Sequence, residues 1–442
     1  LEVKPVVAVV DQRAWANWAG NQRVDATRVV RPASTEEVAA TVRAAAADGL
    51  TVKPVGAGHS FTAAAATAGV RLELDRLSGL IGIDRDIPQI TVQAGMRLRE
   101  LNLVLAEHGL AMANLGDIDV QTVAGAISTG THGTGAGLGC LSTFVTALTL
   151  VAGDGSVHRC SATQNPDLFA AARVGVGALG VLTEVTLRCV DAFTLRAEER
   201  PERLADVFAG LTEHVEGNDH FELYWFPYTD RVQTKRNNRV PVPDRPLGGF
   251  RGWLDDEFLS NTVFGAACRV GRAVPALVPR IAAVEARALS ARVYTAPSYR
   301  VFCTPRRVRF VEMEYGLPRA ALPDAFARLR SIVDGLPFKV IFPVEVRFTA
   351  ADDVWLSHGY GRDNAYVAIH QYVGMPYEPY FQAFEEVARE LGGRPHWGKL
   401  HWRTRDDLRP AYPHFDDFLA VRDRLDPDRV FGNGYTERVF GS

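Results

Sequence analysis

The chain has 442 residues, enough for two or three domains whose cores need no disulfide or metal staple. Lys and Arg total 49 against 52 Asp and Glu, a net charge of −3 with no basic run, which excludes a nucleic-acid binder held by phosphate contacts. A composition of 47% hydrophobic and 23% charged residues excludes wholesale disorder. Cys140, Cys160, Cys189, Cys268 and Cys303 are widely spaced, with no C-x-x-C pair. They form neither a disulfide framework nor a zinc signature, and the expectation is a soluble cytoplasmic protein without a metal. The apolar run 6–10 is too short for a signal-peptide core and is followed at once by Asp11 and Arg13.

Along the first half the pattern alternates strand and helix. Val29 and Val30 read as a short strand, and Ser34 with Glu37 makes a capping-box start for an Ala-rich helix to about residue 47. Strands follow at 50–55, 70–74 and 90–92, and then a helix at 96–108 closed by Gly109. Residues 144–151 read as a buried strand, Gly153-Asp154-Gly155 as a hairpin turn and 157–160 as its return. A helix at 165–173 and a strand within 179–190 close this half. Beyond about residue 190 the chain turns to longer amphipathic helices and alternating strands at 221–226, 340–348 and 366–372, with a Pro/Gly/Arg-rich loop at 240–252. Between Asp119 and Asp154 no residue carries a formal charge, long enough to cross a bilayer, yet seven glycines and nine Ser or Thr residues make it a poor lipid-facing helix.

Three glycine-rich segments are candidate ligand loops. Gly175 to Gly180 spells G-x-G-x-x-G, but a helix precedes it and a strand follows, the reverse of the dinucleotide fingerprint, so a Rossmann nicotinamide site is rejected. Gly56-Ala57-Gly58-His59-Ser60 follows a strand, and 125–135 lies inside the charge-free stretch. Glycines let the main chain approach a ligand, and clustered N–H groups and hydroxyls can hold phosphate without Lys or Arg. A buried pyrophosphate-bearing cofactor would explain a polar, uncharged stretch; a plain turn is the alternative for either loop alone. His59 is either a solvated loop histidine or a nucleophile, base or attachment point.

In Pro343-Val344-Glu345-Val346-Arg347-Phe348, period-two geometry puts Glu345 and Arg347 on one face, roughly 6.8 Å apart. The pair could polarise a substrate hydroxyl or serve as a structural ion pair. His370 shares a strand face with Tyr366, Ala368 and Tyr372, where a satisfied core histidine is the default. Lys399 could snorkel to the surface or face an electron-rich ligand.

Together these segments are more specific than any one of them. From about Trp15 to Tyr435 the chain resembles the vanillyl-alcohol-oxidase-type flavoproteins, in their sugar-1,4-lactone oxidoreductase branch with gulonolactone and arabinonolactone oxidases and the related alditol oxidases. The resemblance rests on 55–60, on Gly130-Thr131-His132-Gly133-Thr134-Gly135, on 343–348, on Arg394-Pro395-His396-Trp397-Gly398-Lys399 and on the ending from Leu425-Asp426-Pro427 to Phe431. It implies an α+β fold: a two-subdomain FAD-binding (PCMH-type) domain at 13–190, an α+β cap domain with a large antiparallel sheet at 191–393, and a segment at 394–442 that returns to the FAD side.

Carried over by position, the resemblance implies that Val55, Gly56, Ala57, Gly58, His59, Ser60, Gly116, Gly125, Ser128, Gly130, Thr131, His132, Gly133, Gly177, Gly180, Val181, His396 and Lys399 contact FAD. His59 would be the covalent attachment point, by a single link. Glu345 and Arg347 would hold the reacting hydroxyl, His370 would accept its proton, and Lys399 would favour anionic reduced flavin. Gly130, where resembling dehydrogenases have alanine, would leave oxygen a path to the flavin. The expected activity is oxidation of an aldono-1,4-lactone with oxygen as acceptor and hydrogen peroxide as product. An alditol, polyol or nucleoside oxidase, or a dehydrogenase with another acceptor, is the alternative; the expected partners are the sugar and oxygen, with no metal, nucleic acid or transmembrane segment.

Overall fold

The computed structural model describes residues 14–442; the apolar run at 6–10, with Asp11 and Arg13, lies outside them. The first sheet is parallel and three-stranded. It holds β1 (Arg28–Val30), β2 (Val52–Val55) and β3 (Val70–Glu73) in the order β1-β3-β2, with α1 (Thr35–Ala47) against it. Ser34 caps α1 by accepting the Glu37 N–H at 3.2 Å, while the Glu37 carboxylate reaches back to the Ala33 N–H at 2.8 Å.

The second sheet is antiparallel and five-stranded. It comprises β4 (Leu80–Asp84), β5 (Gln89–Gln93), β6 (Val145–Val151), β7 (Val157–Ser161) and β8 (Val181–Arg188) in the order β7-β6-β8-β5-β4. Between its strands run α2 (Leu98–Glu107), α3 (Val123–Ser128) and α4 (Pro166–Ala172). The charge-free stretch is interior: Val123, Ala126, Ile127 and Phe144 sit in the core, and Ser142 donates to the Ile127 carbonyl at 2.9 Å. Charge is absent because burying an unpaired charge is costly, and hydroxyls can satisfy themselves on local carbonyls. Among the described residues no helix is long and apolar enough to cross a membrane.

A third, eight-stranded antiparallel sheet forms the other half. Its strands are β9 (Thr194–Arg203), β10 (His220–Trp225), β11 (Arg231–Val240), β12 (Arg292–Pro297), β13 (Phe310–Pro318), β14 (Val344–Thr349), β15 (Asn364–Tyr372) and β16 (Arg394–Pro395), in the order β12-β9-β11-β10-β14-β15-β13-β16. Helices α5 (Leu322–Gly335) and α6 (Glu378–Glu390) cover one face, where Leu223, Val346, Val367, Ile369 and Met313 meet Phe326, Leu329, Phe381 and Phe384. The expected strand at 340–348 starts four residues late, at Val344. Pro343 has no N–H for a ladder, and Val340, Ile341 and Phe342 are apolar because they are buried, not because they pair. The fold is thus α+β, with the parallel and five-stranded sheets in one half and a large antiparallel sheet in the other.

The ending α7 (Phe415–Leu425) and α8 (Gly434–Phe440) pack into the first half: Phe418, Leu425 and Phe440 join the core of the five-stranded sheet, and Val430 and Phe431 that of the parallel sheet. Asp426, 1% exposed, accepts the Val430 and Phe431 N–H groups at 2.7 and 2.9 Å and is the countercharge to buried Lys53. Asp426→Ala leaves both donors and a cation unpaired and should cost about 3 kcal/mol. A urea unfolding curve checks this, and a loss under about 1 kcal/mol would show that the carboxylate is not a clasp.

Candidate active site

Register builds the site. On the sheet face opposite α5 and α6, Glu222 lies across from Arg347, Tyr224 across from Glu345, and Glu312 across from His370. Period two sends Glu345 and Arg347 to this face and Val344, Val346 and Phe348 to the apolar one, as the sequence predicts. The Arg347 guanidinium touches Glu345, donates from Nε to Glu222 at 2.9 Å and lies 3.8 Å from Asp117. Arg306 holds Asp117 at 3.0 Å, and Lys235 holds Glu222 at 3.2 Å. The Tyr224 hydroxyl donates to Glu345 at 2.9 Å.

Three carboxylates thus surround a guanidinium that is 8% exposed. Burial opposes the charge on Glu222, but Lys235 and Arg347 win and hold it down to about 2. Glu345 goes the other way: burial lifts its pKa, Arg347 opposes this, and Asp117 and Glu222 add to the rise.

The second arm of the face centres on Glu312. One oxygen lies 3.4 Å from His370 Nε2 and the other 2.5 Å from Lys399 Nζ. His370 Nδ1 lies 3.1 Å from the Pro343 carbonyl, which can only accept, so that nitrogen carries a hydrogen. Both ring nitrogens therefore face acceptors, and Glu312 and Glu345 outweigh burial to raise the pKa of the ring. The expected role of His370 as acceptor of the hydroxyl proton therefore competes with two contacts, to the Pro343 carbonyl and to Glu312, that favour the protonated ring.

Two clefts meet at this face. The larger is lined by Gly56, Ala57, Gly58, His59, Ser60, Gly125, Ser128, Gly177 and Gly180, with Lys53 its one charged lining residue. The other is lined by Gly116, Thr131, His132, Glu345, Arg347, His370, His396 and Lys399. His59, Ser60, Gln121 and Thr129 line both. Gly58 and Gly177 have φ of +68° and +66°, which suits glycine, and a Cβ on Gly177 would meet nothing within 4 Å.

Four expected residues line neither cleft. Val55 and Val181 point into the core, where only their main chain could reach a ligand. A Cβ on Gly133 would meet the Leu115 carbonyl at 2.2 Å. Gly130 has φ +70°, and its Cβ would lie 2.8 Å from His358 Cε1, so a methyl there strikes a buried imidazole instead of entering the cavity. A gate at this position would therefore act through His358.

The His59 ring stacks on Trp18 at 5.2 Å. Burial, with Lys399 and Arg97 nearby, drops its pKa to about 4, so it stays neutral with a lone pair free. His132, Glu314 and His396 each bring a ligand atom within 4.8 Å of the others. His396 Nδ1, however, accepts the Gly398 N–H at 3.0 Å, which leaves the hydrogen on Nε2, the reverse of a metal ligand. Sequence reasoning missed Asp117, Glu222, Tyr224, Arg306 and Glu312, brought in by pairing or by loops distant in sequence, and Lys53, a buried cation on β2 just before the 56–60 loop.

The larger cleft fits an extended ligand with a pyrophosphate. Its walls are glycine main chain and hydroxyls around one cation, and at the junction Gln121 Oε1 is a buried acceptor without a donor. Residues 26–161 match the family model of an FAD-binding domain. The chain is therefore an FAD-type flavoprotein. Residues 185–439 match the D-arabinono-1,4-lactone oxidase family, and the chain belongs to it. It is 42% identical to the L-gulono-1,4-lactone dehydrogenase of Mycobacterium tuberculosis over 97% of this chain and 99% of that one. It is 34% identical to the L-gulonolactone oxidase of Bos taurus, over 96% and 97%. The crystal structure of cholesterol oxidase from B. sterolicum shares the fold, with a TM-score of 0.83 at 19% identity, over 98% of this chain and 97% of that one.

A histidine neutral in the fold but protonated when unfolded makes the unfolded chain bind more protons between pH about 4 and 6.5. Its contribution to stability is therefore lost as the pH falls through that window. Urea midpoints at pH 7 and pH 5 should differ less in His59→Gln than in the parent protein; an equal drop in both would show that the ring is not held neutral.

Proposed function

We propose that this chain is an FAD-dependent oxidase of an aldono-1,4-lactone of the L-gulono-1,4-lactone kind, with the cofactor joined through His59. The observation that carries this reading is the polar sheet face bearing Glu345 and Arg347 in the cavity that His59 also lines. FAD supplies a hydride acceptor at N5 when bound. Residues 56–60, Gly125, Ser128, Gly177 and Gly180 would hold it, with Lys53 as the cation of the lining and Gln121 Oε1 as an acceptor open to a donor.

The chain's own groups do the rest. Arg347, fixed by Glu222 and Asp117, orients the substrate hydroxyl and stabilises negative charge that develops on its oxygen. Glu345, with its pKa raised by burial, takes the proton. Lys399 and His370 place positive charge at the far side of the cavity. The free lone pair of His59 supports the covalent link. The division at 13–190, 191–393 and 394–442 goes with this reading: the first and last parts bind the cofactor and the middle one covers it.

Oxygen is the proposed final acceptor, with hydrogen peroxide as product, and the likeness to a gulonolactone oxidase supports it. A dehydrogenase reading is favoured by the likeness to a relative named a dehydrogenase.

Gulonolactone and xylitol compared under argon and in air decide among these. Bleaching of the yellow colour by the lactone and peroxide release in air are expected. Bleaching without peroxide would give the dehydrogenase, preference for xylitol an alditol oxidase, and no bleaching with either would sink the reading. Acid denaturation should leave yellow colour in the pellet of the parent protein and release it to the supernatant in His59→Ala. Gly130→Ala should slow reoxidation by striking His358, and Gly130→Ala with His358→Ala should restore it. An equal slowing in both variants would show that His358 plays no part.

A further inference from the structure

We infer that Glu312 is a positioning residue that fixes the charge and direction of both His370 and Lys399, one carboxylate shared between two cations. This rests on the proposed flavin chemistry for its consequence, but not for its geometry.

Glu312 sits on β13 directly opposite His370 of β15, so the two form a cross-strand pair set by the register. The main chain of the same residue binds the segment that carries Lys399. The Glu312 carbonyl accepts the Leu400 N–H at 2.9 Å, and two residues on, Glu314 accepts the His396 N–H at 2.9 Å. The backbone thus delivers Lys399 beside the very carboxylate that its ammonium contacts. Glu312 is 5% exposed, and a carboxylate so buried needs charge partners; here its two oxygens have one each.

The other groups around the triad do not replace it. His370 also faces Glu345 across the sheet and Lys399, between the rings of Phe310 (5.0 Å) and Phe342 (6.1 Å). Lys399 also faces Glu314 and Asp117, and stands over Phe61 at 5.2 Å. Glu314 is taken up by His132 at 3.2 Å, and Asp117 by Arg306 and Arg347. With Glu312 neutral, His370 and Lys399 confront each other with no anion between them. The imidazole, much the weaker base, must then release its proton.

The test is a ¹⁵N-histidine NMR titration of the flavin-loaded protein and of Glu312→Gln, with His370→Gln assigning the signal. In Glu312→Gln the His370 midpoint should fall by about one pH unit or more. A midpoint unmoved from the parent value would overturn the inference. The backbone bonds to Leu400 and His396 survive this substitution; should it still fail to fold, Glu312→Asp, which keeps the charge but withdraws it by one methylene, should lower the midpoint part of the way. No movement there overturns the inference equally. In turnover, Glu312→Gln should lower kcat tenfold or more and change KM less than threefold, with an altered pH profile. If the parent protein turns over no lactone or polyol, the oxidoreductase reading fails while the titration still judges Glu312.

Discussion

A guanidinium buried on the face of a β-sheet is tolerable only if carboxylates surround it, and Arg347 sets the terms for everything near it. Its partners come from three places: Glu345 from its own strand, Glu222 from the neighbouring strand and Asp117 from a loop of the other half of the molecule. Removing one of them leaves a charge without its partner, which costs far more than the pair gains when whole. The cap sheet and the cofactor half are therefore tied together by electrostatics at the point where they enclose the cavity. Arg306 and Lys235 complete the balance by holding Asp117 and Glu222. A site so constrained keeps its geometry before any ligand arrives, the condition for stabilising charge in a reaction without reorganisation.

The opposite wall works by the absence of charge. Gly58 and Gly177 take backbone conformations that favour glycine, and the loops around them expose main chain where side chains would block a ligand. Lys53 departs from this pattern. It is wholly buried, donates to the Gly177 carbonyl at 3.1 Å, and burial with only Asp426 as countercharge lowers its pKa to about 7. An anionic ligand in that cleft would supply the negative charge that Lys53 now gets from Asp426 alone, and would raise its proton affinity.

Much of this was legible in the sequence, and the rest had a physical reason to stay hidden. Alternation alone put Glu345 and Arg347 on one face, because period two is a property of a single strand. Glycine spacing marked 56–60 and 125–135, because local backbone freedom is encoded locally. Glu222, Glu312 and Tyr224 could not be picked out, since each matters only through cross-strand register, and register depends on pairing between strands more than 50 residues apart in the chain. The surroundings of His370 were hidden for the same reason: the acceptors at its two nitrogens are Pro343 and Glu312, one on each side of it in space. Gly130 was read by analogy as an opening; that His358 lies beside it could not be read from the local sequence.

Two carboxylates on this one sheet face meet opposite fates, and the difference decides which can act as a base. Burial pushes both toward the neutral form. Glu312 has two cations of its own, Lys399 and His370, and they hold it down to about 2, so it keeps its charge and takes no proton near neutral pH. Glu345 shares a single guanidinium with Glu222 and lies near Asp117, so its pKa is raised instead. Environments that push paired titratable groups apart separate a proton acceptor from a fixed anion. In the proposed reaction Glu345 is therefore the more basic of the two carboxylates, while Glu312 keeps the two cations in place.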